Sequence, residues 1–165
     1  MLQEKLNKLR RFGKDERSSF PYWFAHWKAF NMVALQLGHW KFKYLFHDIE
    51  KPWLMLLWKD YKRVQKWHRA HNTHHIDTKR SHFDFEAMCI DWECSRYTKL
   101  GKEYNAYETL WNEMDARHVN GQLCFDVWKG VGTVLCEFGL ATKDEVGELI
   151  KRWFDKYGYH GNENN

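Results

Sequence analysis

The chain has 165 residues, 44% hydrophobic and 29% charged, with a formal net charge of +4. That is the composition of one globular domain, long enough to bury roughly 70% of the surface its unfolded chain exposes, and it excludes a disordered or low-complexity protein. The longest apolar run, Trp53 to Trp58, is six residues, far below the roughly 20 of a membrane span.

Taken in chain order, the sequence predicts helices throughout. A basic amphipathic helix is expected over Leu2–Phe12, stopping at Gly13. Ser18 or Ser19 caps the next helix, which carries Pro21 in its first turn and runs to about Leu37 before Gly38. Trp40–His47 alternates aromatic and basic residues, as a strand would, but a lone strand has no partner, so helix is preferred. Pro52 opens a further helix reaching towards Lys66–His75, and Ile76–Phe83 is a loop. Asp84 to about Leu100 is helical, with Phe85, Met88, Cys89 and Trp92 forming an apolar stripe. Two more helices precede Gly139, and Thr142-x-x-Glu145 is a capping box opening a last helix that ends before Gly158. The tail Gly161–Asn165 is expected to fray. The chain therefore reads as one all-α domain: a basic N-terminal segment (1–17), a central portion (20–95) and C-terminal helices (103–158).

Charge is unevenly spread. Residues 41–80 hold ten basic and four acidic groups, whereas residues 81–165 hold nine basic and fifteen acidic ones. Eight of the ten histidines lie between His26 and His82, so the histidine-rich and positive regions largely coincide. A site there favours an anionic ligand. With 10 Trp, 8 Tyr and 11 Phe, most aromatics are expected in the core, and Trp23, Trp67 and Trp92 are candidates to stack a base. The four cysteines contain no C-x-x-C pair and read as free thiols in a reducing cytoplasm; the first residues show no secretory h-region.

His26 shares a helical face with Phe30, Val33 and Leu37, which points it into the core. His47-Asp48 places an imidazole beside a carboxylate; adjacent helical residues diverge by about 100°, so the two meet one ion only at a helix end or an irregular turn. His68, His71, Asn72 and His75 share a face if helical, with His74 off it unless the helix ends. Such a concentration of imidazoles is relieved by binding a divalent metal in the neutral form. Asp91 sits at the edge of its helix's apolar stripe, where a carboxylate needs a partner; Asp84 lies two turns earlier and competes with it.

The ordered set His26, His47-Asp48-x-x-Lys51-Pro52, His68, His74-His75 and Asp91 resembles the HD-domain superfamily of metal-dependent phosphohydrolases, over about residues 20–95. The H-D pair there is often followed by I-G-K-P; here Glu50 stands where glycine is common. More closely, His68-x3-Asn72-x-His74-His75 and Met88-x2-Asp91-Trp92 resemble an HD-like family of phages and bacteria. The resemblance implies that His26, His47, Asp48 and Asp91 hold one metal and that His74 and His75 belong to a second set, with His68 a ligand or a phosphate contact. It implies one or two divalent transition ions (Mn, Fe, Co, Ni or Zn) and hydrolysis of a nucleotide or other small phosphoester. Asp48 would bridge the metals and help position the attacking hydroxide. Lys51 would stabilise charge on phosphate, and His68 would protonate the leaving oxygen. Two other readings stay open at this point: an HD-fold diiron oxygenase, and a non-catalytic interaction protein with a structural metal whose basic Leu2–Arg11 segment contacts nucleic acid or an acidic partner. No membrane partner is expected.

Overall fold

The computed structural model describes residues 1–76, 83–117 and 121–158, and only the backbone of 121–126. It contains α1 (Leu2–Asn7), α2 (Phe20–Gln36), α3 (Glu50–Leu57), α4 (Tyr61–His71), α5 (Phe85–Thr98), α6 (Ala106–Ala116), α7 (Gly121–Glu137) and α8 (Lys143–Tyr157). Two 3₁₀ turns, Lys14–Ser18 and Phe42–Phe46, complete the regular structure. The described residues form no strand; one isolated bridge joins Phe12 to Lys99. The all-α expectation holds. Ile76–Phe83 falls mostly, and the tail wholly, outside the described residues.

The architecture is arranged around α5. Ala87 to Ser95 are all buried, so the apolar stripe of Phe85, Met88, Cys89 and Trp92 is only part of what this helix covers. It packs against α2, α6 and α7. A helix hidden on every side must satisfy the polar groups it carries, and Glu93 does so by accepting from the backbone N–H of Ala106 at 2.9 Å, at the start of α6, and from Arg96. Close approach of α7 requires Gly130, where an added Cβ would stand 2.4 Å from the Phe85 ring. Ser19 caps α2 and Thr142 with Glu145 forms the expected box on α8.

Several boundaries differ from expectation. The first helix ends at Asn7 rather than near Phe12, because Phe12 is drawn into backbone hydrogen bonds with Thr98 and Leu100. Trp40–His47 is neither strand nor α-helix; only the 3₁₀ turn forms. The helix expected from Pro52 onward is two helices, divided where Asp60 accepts from Lys62 N–H and starts α4.

Most described aromatics lie in the core or pack against it, among them Phe30, Tyr44, Trp92, Trp128 and Trp153, and a minority is exposed. Phe20 (59%), Phe42 (68%) and Trp53 (66%) are well exposed, and Leu56 and Leu57 on α3 are more so. At the N-terminus Lys8 pairs with Glu4, Arg10 with Glu16 and Arg11 with Glu103, so much of that segment's positive charge is matched locally. Cys89 and Cys94 are buried free thiols and Cys136 is a half-buried one; the Cys124 side chain is outside the described residues. No described helix is long and apolar enough to cross a membrane.

Candidate metal centre

The site begins with a turn. After the second 3₁₀ segment, Asp48 adopts φ +58°, in the left-handed region that L-residues other than Asn and Asp rarely occupy. The indole N–H of Trp23 on α2 donates to the Asp48 carbonyl at 2.9 Å and holds the turn. The His47 ring is fixed separately, stacked on Phe30 with centroids 3.6 Å apart. Together these make neighbours in sequence converge: His47 Nε2 lies 3.6 Å from Asp48 Oδ1.

Helices α2 and α5 bring the next two groups. His26 Nε2 is 2.8 Å from Asp91 Oδ1 and 3.9 Å from Asp48 Oδ2, and His47 Nε2 is 3.9 Å from Asp91 Oδ1. Asp84 is elsewhere: it caps α5 by accepting from Ala87 N–H and pairs with Lys43. Of the two competing carboxylates, Asp91 is the one in the cluster.

Helix α4 stops at His71, and extended backbone at Asn72 redirects the chain. The four-residue helical face through His71 and His75 therefore does not form; His71 is exposed and stacks on Trp67. Instead His74 and His75 fold back onto His68. His68 Nε2 lies 2.6 Å from His75 Nε2 and 3.3 Å from Asp48 Oδ1, and His74 Nε2 lies 3.4 Å from the same oxygen. The opposite nitrogen of His68, Nδ1, bonds to Glu50 Oε1, which also accepts from Asn72 at 2.9 Å. Both ring nitrogens of His68 are thus engaged within the cluster, Nδ1 with a carboxylate as is common for metal-ligating histidines.

The cluster poses an electrostatic problem that a cation solves. His47 Nε2, Asp48 Oδ1 and His74 Nε2 are all buried without a hydrogen-bond partner. Such orphaned groups carry a desolvation cost of roughly 1–3 kcal/mol each unless something binds them. Two orphaned imidazole nitrogens within 3.6 Å of the orphaned Asp48 Oδ1 suit a divalent ion with mixed N/O ligands. His26, His47 and Asp48 offer one ligand group, and His68, His74 and His75 another. Burial lowers the pKa of His26, His47, His68 and His75, leaving the imidazoles in the neutral form that metals need. Burial would raise Asp48 and Asp91. Against it, His47 and Lys51 pull Asp48 well below the ordinary carboxylate range, and the His26 hydrogen bond and Lys99 do the same for Asp91. Cys94 lies near His26, but burial raises its pKa and its thiol donates to the Asp91 carbonyl.

Lys51 pairs with Asp48 Oδ2 and lines a cleft of about 630 Å³ together with Tyr22, His26, His68 and Asp91. A second cavity, about 430 Å³, shares His75 and Asp91 with the first. Of the three tryptophans considered for base stacking, only Trp92 lines either of these; Trp23 serves the Asp48 turn and Trp67 packs on His71. Glu50 and Asn72 were not expected as site residues. A charged side chain at the glycine-favouring place in the H-D turn was the available signal for Glu50. No family model, curated protein or solved structure matches this chain.

Proposed function

We propose that this protein is a metal-dependent phosphohydrolase of HD-domain type, acting on a small phosphoester such as a nucleotide. The observation carrying the reading is the convergence of His47 Nε2, His68 Nε2 and His74 Nε2 on one buried oxygen, Asp48 Oδ1, at 3.3–3.6 Å beside a cleft. His26, His47, Asp48 and Asp91 would hold one ion, and His68, His74 and His75 a second, with Asp48 between the two sets. Bound there, divalent transition ions (Mn, Fe, Co, Ni or Zn) lower the pKa of water towards 7 and polarise a phosphoryl oxygen.

The chain's own groups divide the remaining work. Lys51 neutralises Asp48 through one ammonium N–H and has two further donors for an anion entering the cleft. Its pKa is raised: burial opposes the charge, but Asp48, Tyr22 and Asp91 together outweigh it, so Lys51 stays cationic across the neutral range. Glu50 and Asn72 orient His68, and the Trp23 bond keeps Asp48 in its strained turn. Buried walls on α2 and α5 keep bulk water from the donor atoms, which strengthens every electrostatic contact there.

The test is phosphate release. Metal-supplemented protein should liberate inorganic phosphate from an aryl phosphate or a member of a nucleotide panel, and Asp48→Asn should abolish this. Bound metal with dioxygen uptake and no phosphate release would replace this reading with the oxygenase. Bound metal with neither would make the ion structural.

A further inference from the structure

Beside the histidine cluster stands a group of cations that are not candidate ligands, although Lys99 also helps hold the Asp91 carboxyl low. Arg17, Lys99 and Lys102 all line the 630 Å³ cleft, and the two lysines also line the adjoining cavity. The geometry brings them together from distant parts of the chain. Lys99 closes α5, and Gly101 at φ +72° turns the chain so that Lys102 N–H returns to the Lys99 carbonyl at 3.3 Å. Arg17, from the first 3₁₀ turn, anchors Nη2 on the Leu100 carbonyl at 2.8 Å.

None of the three is neutralised by an ion pair among the described residues. Arg17 Nε is buried without a partner. Lys99 Nζ donates to the Ser95 hydroxyl, a neutral acceptor. Lys102 has no side-chain hydrogen bond or ion pair among the described residues; partial desolvation, followed by repulsion from Lys99, lowers its pKa, and attraction to Glu113 and Asp91 offsets this only in part. Elsewhere Arg10, Arg11, Lys41 and Lys43 each pair with a carboxylate. Like charges gathered without counterions cost free energy unless an anion joins them. Acids lining the two cavities are Asp15 and Asp60, both exposed, Glu113, which pairs with Arg117, and Asp91, already committed to His26.

We infer that Arg17, Lys99 and Lys102 form an anion subsite that takes a second phosphate group, so that the preferred ligand is a bisphosphate with one phosphate at the histidine cluster. The subsite rests on the phosphohydrolase reading for what occupies the first position. A guanidinium and two ammonium groups on one cleft supply several charge-assisted donors, which suits phosphate oxygens.

The test is calorimetric binding to metal-loaded full-length protein. The probes are butane-1,4-diol bisphosphate and butyl phosphate, which differ only in the second phosphate and whose flexible linker adapts to the spacing. Wild type should bind the bisphosphate about tenfold tighter, the worth of a good charge-assisted contact. Lys102→Glu should bring that ratio to about one while metal content and butyl phosphate affinity stay unchanged, and Lys102→Arg should restore it. Equal affinities in wild type, or a preference surviving both Lys102→Glu and Lys99→Ala, would overturn the subsite. Absence of phosphate release would sink the hydrolase reading alone, because the binding ratio needs no turnover.

Discussion

The Trp23 indole N–H donates to the backbone oxygen of Asp48, and Asp48 is the described non-glycine residue whose φ is positive. A left-handed residue costs roughly 1–2 kcal/mol and persists where its surroundings hold it. Trp23→Phe keeps an aromatic ring against Phe20 but removes the donor. It should lower stability by about 1 kcal/mol and weaken metal binding several-fold. Denaturation and metal titration read the two effects; wild-type metal affinity in the variant would show that the turn holds itself.

Glu50 supports the opposite edge of His68. Glu50→Gln keeps the shape and removes the negative charge that favours a proton on Nδ1 and a free Nε2. Since Glu50 is partly exposed, the fold should persist, while affinity for the more weakly held ion falls about 10- to 100-fold. Competition against a chromogenic chelator measures this, and unchanged affinity would remove Glu50 from the centre.

Acid should destabilise the metal-free protein from near-neutral pH. The buried imidazoles of His26, His47, His68 and His75 have lowered pKa values in the fold, whereas in the unfolded chain they titrate near 6.5. Below that pH the unfolded state binds more protons, so stability falls as pH drops. Asp48 and Asp91, also lowered, act in the same direction: their contribution is full above about 3.8 and is lost as pH falls through their folded values. With chelator present, Tm should decline from pH 6.5 to 5 by at least about 5 °C. A flat or rising Tm would contradict the neutral, buried cluster.

Gly130 tests the packing behind α5. Alanine improves helix propensity by about 1 kcal/mol, but its Cβ meets the Phe85 ring. Overpacking should win, leaving Gly130→Ala destabilised by about 1–2 kcal/mol in denaturant titration; a stabilised variant would mean that the Phe85 ring moves aside freely.

Helix class and the capped termini were legible because caps, prolines and glycines act locally: Ser19, Thr142 with Glu145, and Gly158 all stand at the ends they mark. The histidine and carboxylate positions were legible through their order along the chain. Their geometry was less so. Periodicity continued α4 through His75 and put His71 with the cluster; the helix instead ends at His71, and tertiary contact with His68 draws in His74 and His75. Likewise Phe12 looked like helix until Thr98 and Leu100, far along the chain, claimed its backbone. Glu50 and Arg17 gain their roles from partners 18 and 83 positions away, which no local pattern records.

Metal stoichiometry bears most directly on the central claim. Elemental analysis of protein purified without chelator should give between one and two transition-metal equivalents per chain. Asp48→Asn should fall below about half an equivalent, since its carboxylate stands between both ligand sets, while His71→Ala, outside the cluster, should keep the wild-type value. Wild type with less than about half an equivalent, or Asp48→Asn with a full complement, would contradict a metal centre built on Asp48.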